Sequence, residues 1–255
     1  MHRSSRTLLV ATLAAVALSA ACTPPLGDDD DSALIGSGET LAAESGSLST
    51  VNAAGRSGYY YLPERLSGEA IPLLLGFHAT GGTGEGFLGS FFAMAEEHGF
   101  AIIAPDSRTS PAGEYTWEVG DRPGEITPDY THALACITEV QDSFSLSIDP
   151  RKVLAAGYSG GASSAPYLAS NEELFTAFAV LHGGVFPGGI GDHIIPGWFS
   201  TGEDDSLRSP QHMQEQLDSL IPLGFADLVL EIFPGGHGLS EEESRRVTEW
   251  WLSLP

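Results

Sequence analysis

The chain has 255 residues, enough for one α/β domain with a large core. Its 11 Lys and Arg stand against 34 Asp and Glu, a formal net charge of −23. A surface this acidic repels nucleic acid and anionic lipid headgroups and disfavours polyanionic substrates, so no nucleic-acid partner is expected.

Arg3 and Arg6 precede an apolar run over residues 8–21. This is the charged n-region and short h-region of a secretory signal, and it is too short to span a bilayer comfortably. The run ends at Cys22 in "ALSAACTPP", which resembles a bacterial lipoprotein cleavage site, with Ser19 where Leu is usual. A lipid anchor at Cys22 is expected, and a plain secretory cut after Ala21 is the alternative. Cys136 is the other cysteine, so lipidation of Cys22 would leave it no disulfide partner in the mature chain.

Residues 22–47 are rich in Gly, Ser and acid and poor in aromatics, and they read as a flexible acidic linker. The "DDDDS" within them lacks the Gly and distal Glu of a calcium loop. The catalytic domain is then 48–255. "LSTVNA" and "SGYYYLP" predict a leading antiparallel strand pair. "IPLLLGF" is a wholly apolar run, as a strand buried on both faces should be. "GFLGSFFAMAEEHG" has helical spacing and a Gly stop at Gly99, and "FAIIAPD" is the next buried strand. Residues 107–128 are rich in Gly, Pro and Thr and predict a long functional loop.

"DYTHALACITEVQDSF" predicts a helix. "KVLAAG", "AFAVLHG" and "IPGWFSTG" predict strands, and "SPQHMQEQLDSLIPLG" a helix. "DLVLEIFPG" is the last strand. "SEEESRRVTEWWLSL" is a closing amphipathic helix, with Ser240 and Glu243 placed as a capping box. The alternation predicts an α/β fold with about eight strands in a mostly parallel sheet, covered by helices on both faces.

Gly157-Tyr158-Ser159-Gly160-Gly161 lies between a predicted strand and a predicted helix. A sharp turn there lifts Ser159 clear of the sheet, and small residues two before and two after avoid collision across it. This is the context of a serine nucleophile, which needs a base at neutral pH. Eight histidines are available. His2 lies in the leader, and His98 and His132 fall in predicted helices and are assigned to the surface. His193 and His212 have no strand end beside them. His182 follows a strand and is assigned a structural place at its end. His237 stands between glycines after the last strand, where open α/β sheets put functional groups, and it is the expected base.

The orienting acid is expected after the intervening strand, where "WFSTGEDDSL" offers Glu203, Asp204 and Asp205. The oxyanion hole is expected from the N–H of Gly160 and a second N–H in the loop after "IPLLLGF", with Thr80 preferred and Ala79 the alternative. No cofactor and no metal ion are expected.

Taken together, "GRSGYYYLPE", "PLLLGFHATGG", "AIIAPD", "IDPRKVLAAGYSGGASS" and "PGGHG" resemble the α/β-hydrolase superfamily. More narrowly, they are similar to secreted serine esterases of the polyhydroxybutyrate depolymerase-like and feruloyl or acetylxylan esterase-like group. The resemblance implies an α/β-hydrolase fold, ester hydrolysis through an acyl-enzyme, Ser159 as nucleophile and His237 as base. It favours Asp205, three residues after Gly202, with Asp204 the alternative. It also implies that Trp117, in the long loop, either meets substrate or anchors a lid. The substrate would be a polyester, an acylated polysaccharide or a small ester.

Two readings from other classes compete. A surface lipoprotein of the same fold could bind a ligand without catalysis. Gly84, Gly86 and Gly89 form a G-x-G-x-x-G before a helix, with Asp106 ending the next strand, the outline of an NAD-dependent oxidoreductase. Against the second, six residues separate the strand from its first glycine, where the turn should be immediate.

Overall fold

The structure is a computed structural model of the chain and describes residues 39–48, 56–109, 115–184, 186 and 188–255. The leader, Cys22 and the first part of the linker lie outside the described residues. Eight strands form one sheet: β1 Glu44–Ser47, β2 Gly58–Leu62, β3 Ala70–Phe77, β4 Ala101–Pro105, β5 Ser147–Tyr158, β6 Ala177–Leu181, β7 Gly197–Gly202 and β8 Leu228–Phe233. Their order is β1-β2-β4-β3-β5-β6-β7-β8. All pairings from β4 to β8 are parallel, and β2 runs antiparallel to both neighbours. The expected eight-stranded, mostly parallel sheet is present.

Five helices cover it: α1 Gly84–His98, α2 Pro128–Phe144, α3 Ser164–Asn171, α4 Pro210–Leu220 and α5 Glu241–Ser253. The strands sort their side chains with period two. Leu73, Leu75, Val153 and Ala155 face a core shared with α2, α3 and α4. Leu74, Leu154 and Ala156 face a second core built with α1 and α5 around Phe91 and Trp251. Burial on both faces is why these strands read as unbroken apolar runs.

Two expectations shift. The strand that pairs with β2 is Glu44–Ser47, and Thr40–Leu41 pairs with Arg65–Leu66, while residues 49–53 of "LSTVNA" lie outside the described residues. Glu44–Ser47 and Thr40–Leu41 fall within the stretch read as linker. β1 is a mostly exposed strand that, among the described residues, pairs with β2 alone, so nothing forced an apolar pattern onto its sequence. His132, assigned to the surface, is buried, and its Nε2 lies 2.9 Å from the Ser57 carbonyl oxygen. It sits on the inward face of α2 beside Cys136, whose thiol burial pushes up to about 12 and so makes inert.

The dinucleotide reading fails on local geometry. Thr83 caps α1, so Gly86 and Gly89 lie inside the helix and not in a phosphate-binding turn. Asp106 accepts a hydrogen bond from the Gly84 N–H at 2.8 Å and occupies the helix end a pyrophosphate would need. Gly84 is there for space: a Cβ would lie 2.0 Å from the Ala104 carbonyl oxygen of β4.

Candidate active site

β5 ends at Tyr158, and the chain turns through Ser159–Gly161 before entering α3. Ser159 has φ +52°, a left-handed conformation that costs a non-glycine residue about 1 kcal/mol or more. The turn is tight enough that a Cβ on Gly157 would lie 2.2 Å from the Gly161 carbonyl oxygen. The small residues of the motif are therefore a steric requirement of the bend, and the bend lifts the serine off the strand.

Three loops at the carboxyl ends of β5, β7 and β8 then converge. Ser159 Oγ lies 2.8 Å from His237 Nε2, and His237 Nδ1 lies 2.8 Å from Asp205 Oδ2. Ser159 and His237 are partly exposed, and the Asp205 carboxylate is fully buried. The doubled Asp is thereby resolved in space. Asp205 points inward to His237, whereas Asp204 is exposed and its backbone N–H bonds the Gly235 carbonyl.

Asp205 is held on every side. Oδ1 accepts from the Leu207 and Arg208 N–H groups at 2.9 and 2.8 Å. Oδ2 accepts from His237, from His182 Nδ1 at 2.8 Å and from Thr201 Oγ1 at 3.2 Å. Burial alone would raise this carboxyl. The hydrogen bonds from His182, the Arg208 N–H, His237 and the Leu207 N–H outweigh it and hold the group well below the usual carboxylate range.

The oxyanion candidates also meet. A Cβ on Gly160 would lie 2.8 Å from the Thr80 backbone nitrogen, so Thr80 abuts Gly160 directly. Ala79 instead has its carbonyl engaged by the Gly82 N–H at 2.9 Å and by His78 Nδ1 at 2.7 Å. His78 accepts at Nε2 from the Ser107 N–H at 3.0 Å, which leaves Nδ1 as the donor to Ala79. Burial lowers the pKa of His78, in keeping with this neutral tautomer.

Trp117, expected to meet substrate or anchor a lid, is nearly buried. It is 9 % exposed, its indole N–H donates to the His78 carbonyl at 2.8 Å, and its ring packs edge-on against Phe77. It tethers the loop after β3 that carries Ala79 and Thr80. A large amphipathic ring in a polar loop gave the same sequence signal for either role.

His182 was assigned a structural place, and the structure brings it to the site: besides Asp205 it contacts Glu243 Oε2 through Nε2 at 3.0 Å. Glu243 shares in the surprise. Ser240 caps α5 as expected, with its hydroxyl accepting from the Glu243 N–H at 3.2 Å. The Glu243 carboxylate, however, turns inward to His182 and to Ser200 Oγ. Glu at the third helical position reads equally as a capping-box partner, which hid this role.

His182, Asp205 and His237 present ligand atoms within 4.8 Å of one another. Their 2.8 Å N···O separations are those of N–H···O bonds. A bridging zinc ion, needing about 2.0–2.2 Å to each ligand atom, would have to spread them.

A half-open cavity of about 160 Å³ lies beside Tyr158, the residue before the serine, and is walled also by Ala79, Thr83, Phe87, Ser90 and Leu239. Tyr158 precedes the serine, its ring stacks on His237 at 5.7 Å, and its hydroxyl donates to the His237 carbonyl at 3.2 Å. A larger open hollow of about 790 Å³, lined by Asn171, Glu173, Asp192 and His193 among others, includes no triad residue. Neither hollow is lined by Ser159, Asp205 or His237, and the smaller one reaches the elbow through Tyr158.

No protein-family model matches the chain, and no curated protein matches it. Solved structures do. The fluorophosphonate-binding serine hydrolase FphF of Staphylococcus aureus superposes with a TM-score of 0.64 at 16 % identity, over 84 % of this chain and all of that one. The Bacillus cereus carboxylesterase superposes with a TM-score of 0.54 at 20 % identity, over 71 % of this chain and 87 % of that one. Esterase PE8 gives 0.55 at 16 % identity, over 84 % and 100 %. With this strand order, the nucleophile-type elbow after β5 and these likenesses, the chain has the α/β-hydrolase fold.

Proposed function

We propose that the protein is an exported serine hydrolase that cleaves carboxylic esters of short acyl groups through Ser159, His237 and Asp205. The observation that carries this reading is the unbroken hydrogen-bond chain from Ser159 Oγ through His237 to Asp205. His237 Nε2 takes the serine proton as Oγ attacks the ester carbonyl, and Asp205 stabilises the imidazolium that forms. The Gly160 and Thr80 N–H groups receive the oxyanion, each such donor being worth about 3 kcal/mol. Collapse releases the alcohol, protonated by His237, and leaves an acyl-serine. Water activated by the same imidazole then hydrolyses it. A binding protein without catalysis has no need of a strained serine within hydrogen-bond reach of an oriented histidine.

The cavity supports the acyl size. A void of about 150 Å³ accommodates a benzene-sized group, so the 160 Å³ beside Tyr158 has room for an acyl chain of a few carbons. Acetylated polysaccharide and short-chain polyester both present such units. The test is kcat/KM on nitrophenyl esters of graded acyl length. The expected result is a maximum at two to four carbons and a fall of about tenfold or more by eight. A maximum at long or aromatic acyl groups would place the acyl chain elsewhere.

The leader and Cys22 support export with a lipid anchor. The strongly acidic chain offers no polybasic attraction to anionic lipid, so membrane retention would rest on acylation at Cys22, and on more than one chain. Cys22→Ser is expected to move the protein from the membrane to the soluble fraction. Wild type that is equally soluble and free of lipid mass would instead mean simple secretion.

A further inference from the structure

Outside the Ser159–His237–Asp205 chain lies a second buried pair that the mechanism above does not use. His182 is 1 % exposed and Glu243 is fully buried, and they come from separate parts of the fold: His182 directly follows β6, and Glu243 lies in the first turn of α5. His182 has φ +50°, the same left-handed conformation as Ser159 at the end of the neighbouring strand. Its N–H is tied to the Ser200 carbonyl at 2.8 Å, so the strain is held by β7. Backbone strain of this kind persists only where the surroundings enforce it. Here it aims both ring nitrogens at carboxylates, Nδ1 at Asp205 Oδ2 and Nε2 at Glu243 Oε2.

Ionised carboxylates only accept hydrogen bonds, so satisfying both requires an N–H on each ring nitrogen. We propose that Glu243 holds His182 as an imidazolium that positions Asp205 and offsets its charge, making Glu243–His182 a positioning unit that sets the basicity of His237. The proposal rests on the hydrolase reading above. The groups facing His182 are Asp205, Glu243, Ser200, the Tyr158 ring at 5.8 Å and the His237 ring at 5.6 Å. Those facing His237 are Ser159, Asp205, Tyr158 and His182.

The electrostatic consequence has a definite sign. Burial opposes the charge on His182, but the hydrogen bond and charge of Glu243, followed by those of Asp205, outweigh it and raise its pKa. A cation one carboxylate away from His237 disfavours a second cation there. It therefore opposes the positive charge that His237 acquires on taking the serine proton. Asp205 also stays ionised with its Oδ2 committed between two imidazoles, which fixes the direction of the lone pair that orients His237.

The experiment is Glu243→Gln, read as the pH profile of kcat/KM on a short-chain nitrophenyl ester. Gln keeps the size, can accept from Ser200 and can donate to His182 Nε2. His182 then becomes neutral, with its proton on Nδ1 toward Asp205. The acid limb of the profile is expected to rise by about one pH unit, given that the cation is nearer His237 than the lost carboxylate, with KM little changed. At pH values below the limb this is about a tenfold loss of rate. A profile that superposes on wild type, with only a lower melting temperature, would overturn the proposal and leave the pair a packing device.

Nitrogen NMR of the histidine rings in the wild-type protein gives a second readout that needs neither the variant nor turnover. His182 is expected to carry protons on both nitrogens at pH 7, and a neutral His182 ring would contradict the proposal. Wild type that turns over no ester would instead count against the hydrolase reading, whatever His182 shows.

Discussion

Ser159→Ala is expected to lower kcat on short esters by roughly 10⁴- to 10⁶-fold while the protein stays folded. The size of the effect follows from what the hydroxyl does. In the proposed reaction its oxygen forms the acyl bond, and its hydrogen bond to His237 Nε2 couples it to the base. Among the described residues, no other side chain is placed on that nitrogen to substitute for it. The remaining activity is what Gly160, Thr80 and substrate binding supply without a nucleophile. The fold should survive because Oγ is partly exposed and its loss leaves no buried polar group unpaired. Ala in place of Ser at φ +52° faces the same backbone cost, so the melting temperature should move little. Circular dichroism and initial rates on the same preparation check both halves. Turnover that persists in a folded variant would remove Ser159 from the reaction.

Asp205→Asn is expected to cost about 10³- to 10⁴-fold in kcat, and Asp204→Asn no more than about threefold. The asymmetry comes from the hydrogen bonds around Asp205. The Leu207 and Arg208 N–H groups both donate to Oδ1, so an asparagine must turn its carbonyl toward them. Its NH₂ then takes the place of Oδ2 and faces His237 Nδ1. That nitrogen must accept, which moves the imidazole proton to Nε2, where it points at the serine and cannot receive its proton. The same NH₂ confronts His182, so the substitution also breaks a buried charged contact, costing about 3–5 kcal/mol of stability. Rates must therefore be referred to folded enzyme. Asp204 is exposed, and a surface substitution there touches none of this.

Much of this arrangement is legible in the sequence because each element obeys one dominant constraint. The strands β3, β4, β6 and β7 and the second half of β5 are buried on both faces, so continuous apolar runs such as "IPLLLGF" mark them. Gly157-Tyr158-Ser159-Gly160-Gly161 is legible because the bend excludes a Cβ. His237 is legible from its place after the last strand.

What was hidden has a common cause: residues whose local signal fits two roles. Ser240 and Glu243 spell a helix cap, and only the packing of α5 against the sheet shows that the carboxylate turns to His182. His182 stands at a strand end in either account, and its left-handed φ is a tertiary property. Asp204 and Asp205 are chemically identical neighbours. The turn that sends one inward is fixed by contacts with the chain after β8, where the Asp204 N–H meets the Gly235 carbonyl. β1 carried no pattern because an exposed edge needs none.

The central claim is that Ser159 is an activated nucleophile, and covalent labelling of the full chain with a fluorophosphonate tests it most directly. The phosphonyl fluoride needs only the serine, its base and the oxyanion donors, so the outcome does not depend on knowing the natural ester. Intact mass with peptide mapping is expected to show one adduct per chain, on Ser159. The adduct should be absent in Ser159→Ala, form at near the wild-type rate in Asp204→Asn and form far more slowly in Asp205→Asn. A folded protein that takes no label, or takes it on another residue, would contradict the account.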